Sequence, residues 1–157
     1  GLQGKIPLYS VFTVDSIALP KLQKANMSGV MGSVMTQFWA PDLDTPQNKK
    51  FVSGFKRKYG RYPSFYAAQS YDTIFLIKSA VEAVNGDLSN MDGMRAAMKT
   101  ANFPSVRGKF SYGNNHFPIQ NFYSRKVVKD SEGVWTTSVQ EVVLKNHQDT
   151  YAKDCSM

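Results

Sequence analysis

The hydrophobic period of this sequence changes twice, and few folds accommodate that. An opening stretch reads as strand, helix, strand. A middle stretch is helical, and a closing stretch returns to strands. The first boundary is Ala40 to Asn48 (APDLDTPQN), where two prolines, two aspartates and an asparagine fall within nine residues. That composition marks a loop or a crossing between lobes. The second boundary lies near Pro118. A chain that alternates in this way can weave between two lobes rather than fill one layer.

Within the opening stretch, Lys5 to Phe12 (KIPLYSVF) is rich in strand formers, and Pro7 places it near a strand start or edge. Thr13-Val14-Asp15-Ser16 supplies cap candidates for a short helix that Pro20 should disturb. Gly29 to Trp39 reads as a second, buried strand, and strand-helix-strand implies a parallel pair. In the middle stretch, Phe51, Val52, Phe55 and Tyr59 share one helical face that ends at Gly60. A longer helix runs from about Ser64 to Val84. A third begins near Ser89, with Asp92 in a capping-box-like position and Met91, Met94, Ala97, Met98 and Ala101 as its buried stripe. In the closing stretch, Val106, Gly108, Phe110 and Tyr112 alternate as a half-buried strand. Gly113-Asn114-Asn115 is a turn. Phe122 to Val128 and Val134 to Leu144 form a hairpin across Lys129 to Gly133, and the polar tail from Lys145 is a short helix or a loose end.

Composition excludes several classes. The 157 residues are 42% hydrophobic and 20% charged, which suits one globular unit and not a disordered chain. No charged stretch followed by an apolar run opens the sequence, and no run of about 18 apolar residues could cross a membrane. The two histidines, His116 and His147, have no partner at metal-ligand spacing, and the lone Cys155 forms no internal disulfide. No zinc, redox or nucleophile-elbow motif occurs, so no catalytic group and no cofactor is expected. Gly29-x-x-Gly32 lacks the Lys-Ser/Thr of a phosphate loop. Asn26-Met27-Ser28 is a glycosylation triplet of the kind chance supplies.

The net charge of +7 raises nucleic acid as a partner. Its best support is the basic-aromatic run Asn48 to Tyr66, in which lysines would meet phosphates and tyrosines would stack on bases. Phe51, Phe55 and Tyr59 already belong to an apolar stripe, however, and a ring cannot both pack a core and stack on bases. A solvated basic face is the simpler reading, with no nucleic-acid partner. Two other groups could serve a small ligand. Tyr62, Phe65 and Tyr66 sit where a loop becomes a helix, and either line a pocket or staple that helix to its neighbour. Thr13 and Asp15 follow the first strand, at the carboxyl end where open α/β sheets bind ligands. From spacing alone a helix cap is the better reading of Asp15.

Several stretches in order resemble a known family. Asn48-Lys49-Lys50-Phe51, Lys58-Tyr59-Gly60, the run Pro63 to Asp72 (PSFYAAQSYD), Val106 to Phe110 (VRGKF), Asn114-Asn115-His116 and Pro118-Ile119-Gln120 are similar to the later half of type I periplasmic solute-binding proteins, in the leucine/isoleucine/valine-binding branch that serves ABC importers. The resemblance implies an α/β fold, the C-terminal portion of a two-lobed molecule with a parallel sheet, helices and a C-terminal hairpin. It implies that residues 1–41 belong to the C-terminal lobe, 42–116 to the helical part of the N-terminal lobe, and 117–157 to the C-terminal lobe again. It also implies a periplasmic carrier that binds an amino acid or a related aromatic or organic acid and docks on a membrane permease, with no enzymatic role. The alternatives are a ligand-sensing regulator on the same fold or a basic nucleic-acid-binding domain.

A complete family member is more than twice this length, and the groups that hold the ligand carboxylate come largely from the half not represented here. By position, the share of the pocket in this chain involves Phe12, Thr13 and Asp15, with Asp15 like the ammonium partner of amino-acid binders, and Tyr62, Phe65 and Tyr66. The three helices would then lack the sheet they normally cover. Phe51, Phe55, Tyr71, Phe75, Met94 and Met98 are expected to need either that absent half or a second copy of the chain.

Overall fold

The computed structural model describes residues 5–12 and 14–156. Strand β1 (Tyr9–Ser10) leads to helix α1 (Leu19–Lys24), a 3-10 turn at Ser28–Val30 and strand β2 (Val34–Gln37). Helices α2 (Pro46–Tyr59), α3 (Phe65–Ala83) and α4 (Met91–Thr100) follow, then strands β3 (Ser111–Tyr112), β4 (Pro118–Lys129) and β5 (Trp135–His147). β1 and β2 are parallel, with Tyr9 opposite Val34. β4 lies antiparallel to β2 through Val34 opposite Lys126, and pairs β5 along nearly its whole length. Its first residues also pair β3, so this one long strand serves both the β1–β2 sheet and the short β3 edge.

The helix ends follow from their capping chemistry. Thr45 accepts from the Asn48 amide at the start of α2, where Pro46 occupies a position that needs no N–H donor. Gly60 closes α2 in the left-handed conformation at φ 66°. Ser64 caps α3 by accepting from the Ala67 amide. Four expectations are corrected. Pro20 opens α1 instead of disturbing it. The second apolar run contributes only four strand residues, because Gly32 turns the chain at φ 78° before Val34. Asn90, not Ser89, caps α4, with Asp92 in its first turn, and Met91 lies exposed while Met94, Ala97 and Met98 are half-buried. Residues 105–107 are all buried and leave Ser111–Tyr112 as the only strand of their segment, because the buried carboxylate of Asp72 holds them.

Two apolar clusters fill the interior. One gathers Phe38, Trp39, Leu43, Phe51, Phe65 and Val106 between α2, α3 and the end of β2. The other packs Leu19 of α1 against Met35, Val127 and Trp135 of the sheet. Polar groups fix the chain where it leaves β2. Asn48 is fully buried, accepts from the Trp39 indole at 2.7 Å and donates to the carbonyls of Ala40, Pro41 and Leu43. Asp72 is buried as well. It accepts from Ser105 Oγ at 2.6 Å, from the Val106 amide at 2.9 Å and from Arg107 Nε at 2.9 Å, and Arg107 also donates to Gln120. The polar tail is tied down too: Asn114 donates to the carbonyls of Ala152 and Cys155, and Asn115 to Asp149.

Candidate functional site

Three of the aromatic residues singled out from the sequence come together. Phe12 follows β1, at the carboxyl end of the parallel pair, while Phe65 and Tyr66 open α3. The Phe12 and Phe65 ring centroids lie 5.2 Å apart, those of Phe65 and Tyr66 3.9 Å, and Phe38 meets Phe65 edge-on at 6.0 Å. Phe65 is buried at 3% exposure, whereas Phe12 and Tyr66 remain 55% and 56% exposed. The stack is thus anchored in the core on one side and open on the other. Its alignment has a local cause: Ser16 Oγ donates to the Pro63 carbonyl at 2.6 Å, which ties the loop after β1 to the start of α3.

The remaining candidates take other roles in the geometry. Thr13 lies outside the described residues. Asp15 is buried; its Oδ1 accepts from the Ile17 amide at 2.8 Å and its carbonyl from Ala18 and Leu19, so it shapes the turn into α1. Burial raises its carboxyl above the ordinary range, and the charge of Arg125 offsets only part of that. Tyr62 is not part of the stack. Its hydroxyl donates to Asp130 in the β4–β5 loop at 2.8 Å, and Lys56 stands 4.4 Å from its ring centre. Burial, then the bond to Asp130, raises the Tyr62 phenol. Tyr62, Lys56, Lys49, Asp42 and Asp130 border an open groove of about 440 Å³ between α2 and the hairpin.

Arg125 went unnoticed in the sequence. It is 1% exposed, and burial pushes its guanidinium down to about 10. The signal for it is strand parity, since Tyr123, Arg125 and Val127 share the buried side of β4. A cation on the apolar parity of a strand needs internal partners. Its Nη1 donates to the Trp39 carbonyl at 3.1 Å, across the junction between β2 and the loop to α2.

Comparison with known proteins agrees with this architecture. The family model described as periplasmic binding protein matches residues 1–132. The Leu/Ile/Val-binding protein homolog 6 of Brucella abortus (strain 2308) is 31% identical over 110 residues, which cover 67% of this chain and 27% of the relative. A solute-binding protein of an ABC transporter from R. palustris, solved with benzoate, superposes with a TM-score of 0.80 at 29% identity, covering 97% of this chain and 39% of that one. A second, from Rhodopseudomonas palustris HaA2 with p-hydroxybenzoic acid, gives a TM-score of 0.76 at 28% identity over 94% of this chain and 39% of that one. The chain therefore spans about a quarter to two fifths of the length of the relatives it matches. With 132 of its 157 residues matched, the chain belongs to the periplasmic binding protein family.

Proposed function

We propose that this chain supplies one wall of the ligand cleft in an extracytoplasmic solute-binding component of an ABC importer, and that the ligand is a small acid, an amino acid or an aromatic acid. The observation that carries the reading is the open stack of Phe12, Phe65 and Tyr66 at the carboxyl end of the parallel strands. Two rings more than half exposed beside a buried third, tilted 44° and 36° against it, form an open apolar surface suited to a ring or a branched side chain. The relatives bound to benzoate and p-hydroxybenzoic acid carry ligands of that shape. Among the described residues no cation stands over the Phe12, Phe65 or Tyr66 ring, so in this reading the ligand carboxylate falls to groups from the other part of the cleft. Asp15 and Tyr62 flank the wall through the contacts already described.

In this reading residues 1–41 and 117–157 form one lobe around β1, β2 and the paired part of β4, and residues 42–116 belong to the other. The partners are the ligand, a membrane permease that senses closure, and the remainder of the two lobes. The role is binding, not turnover. The basic run Asn48 to Tyr66 supports no nucleic-acid partner: Phe51 is buried against Trp39, and Phe55 stacks on Phe51 and Tyr59.

Calorimetry tests the reading. A polypeptide carrying both lobes should bind leucine, benzoate or 4-hydroxybenzoate, whereas the 157-residue chain alone should bind none of them at micromolar concentration. In the two-lobed protein Phe65→Ala should weaken binding at least about tenfold, the equivalent of ~1.4 kcal/mol. Asp15→Asn should weaken binding less than Phe65→Ala, because its contacts are internal and it acts on the wall only by positioning the loop that carries Phe12. Unchanged affinity in Phe65→Ala contradicts the proposed wall.

A further inference from the structure

Three residues that together carry four unpartnered buried polar atoms border one small cavity. Asp15, Arg125 and Thr136 are 5%, 1% and 7% exposed, and all three border a space that also touches Trp39, Phe65 and Thr137. Among the described residues, no protein group satisfies Asp15 Oδ2, Arg125 Nε, Arg125 Nη2 or Thr136 Oγ1. Buried polar atoms of this kind are satisfied in folded proteins by protein or by ordered water. Asp15 and Arg125 carry opposite charges but form no ion pair within 4.0 Å, although each lies in the field of the other.

Charge and size select the occupant. An anion would find Arg125 but also the Asp15 carboxylate. A cation would find Asp15 but also the guanidinium. A neutral molecule that both donates and accepts suits both groups. The cavity leaves about 10 Å³ for the centre of a water-sized sphere, roughly one water and far less than an amino acid or a benzoate requires.

We propose that this cavity is a built site for one ordered water, which donates to Asp15 Oδ2, accepts from Arg125 and is held in place by the Thr136 hydroxyl. The site joins three segments far apart in sequence. Asp15 lies in the loop after β1, Arg125 on β4 and Thr136 on β5. Arg125 continues the linkage to the Trp39 carbonyl at the end of β2, and Ser16 continues it to Pro63 before α3. The bridged pair therefore acts as a positioning element: it sets the loop that carries Phe12 against the helix start that carries Phe65. The inference needs no ligand, so it stands or falls separately from the proposed transport role.

The test combines crystallography with unfolding at one fixed protein concentration. A high-resolution crystal structure should show an ordered water within roughly 2.7–3.2 Å of both Asp15 Oδ2 and an Arg125 nitrogen. A direct carboxylate–guanidinium contact that closes the cavity, or an anion seated on Arg125, overturns the proposal. Asp15→Asn and Arg125→Met should each lower Tm by about 5–10 °C, and the double variant should lose clearly less than the two losses added. Additive losses overturn the coupling. Should either single variant fail to fold, Thr136→Val keeps the question open to decision. It should lower Tm by about 2–4 °C and Thr136→Ser should restore it, whereas an unchanged Tm in Thr136→Val removes Thr136 from the site.

Discussion

At the scale of single residues, the groups that organise this molecule are buried polar side chains with several bonds each. Tyr62 and Asp130 show how such a pair responds to pH. Partial burial alone would raise the Asp130 carboxyl. The Tyr62 hydroxyl, the amides of Val134 and Glu132 and the charge of Lys56 outweigh it and hold the carboxyl below the ordinary range. A depressed carboxyl contributes stability above its unfolded pKa of about 3.9, and that contribution is lost as pH falls through the folded value. Tyr62→Phe removes one of those bonds at a cost of about 1 kcal/mol near neutral pH. It should also flatten the loss of stability below about pH 4, measured by denaturant unfolding across pH. An unaltered acid limb in Tyr62→Phe would mean that the Asp130 contact is not formed in solution. Asp15 has the opposite sign: burial raises its carboxyl, so the stability its bonds contribute diminishes as pH rises through the folded value.

Among the elements, what the sequence revealed depended on how local the cause was. α2 and α3 were legible to within a residue because Pro46, Gly60 and Ser64 act on their own neighbours. The strands were less so. β1 has two residues and β2 four, although both apolar runs are longer, because strand length is set by the partner and not by the run. The segment after α4 alternates like a strand, yet Asp72 on α3 captures Ser105, Val106 and Arg107 from 33 to 35 positions away. Both halves of that contact lay in stretches that carried the family resemblance, but no spacing rule joins them. The candidate site divides in the same way. Phe65 and Tyr66 stood out as aromatics at a helix start and Phe12 only through the family resemblance, while Arg125 required reading parity along β4. Asp72→Asn should leave Arg107 buried without its counter-charge and cost about 3–5 kcal/mol in denaturant unfolding. A loss under about 1 kcal/mol would show that the pair is solvated and does not hold the segment.

For the whole molecule, the exposed apolar surface differs from the sequence expectation in detail but not in kind. Phe51 is core, and Phe55, Tyr71 and Phe75 stack in a ladder with it at centroid distances of 4.7 to 5.9 Å, so none of these faces empty space. The bare residues are others. Tyr66, Ile74 and Ile77 lie along one side of α3, with Leu88 and Met91 beyond it, and Val142, Val143 and Leu144 are uncovered on both faces of β5. Tyr9 lies open on β1, which among the described residues pairs only with β2. Exposed apolar residues on α3, β1 and β5 are what a partial two-lobed fold leaves uncovered, and large contiguous apolar patches are rare on a soluble monomer. We therefore expect them to be covered by the rest of the two lobes or, in its absence, by a second copy of the chain. Light scattering on the 157-residue chain at low micromolar concentration, with its composition checked by mass spectrometry, is the direct test. The account predicts species heavier than the 17.6 kDa protomer. A sharp, monodisperse 17.6 kDa species that unfolds cooperatively would contradict it.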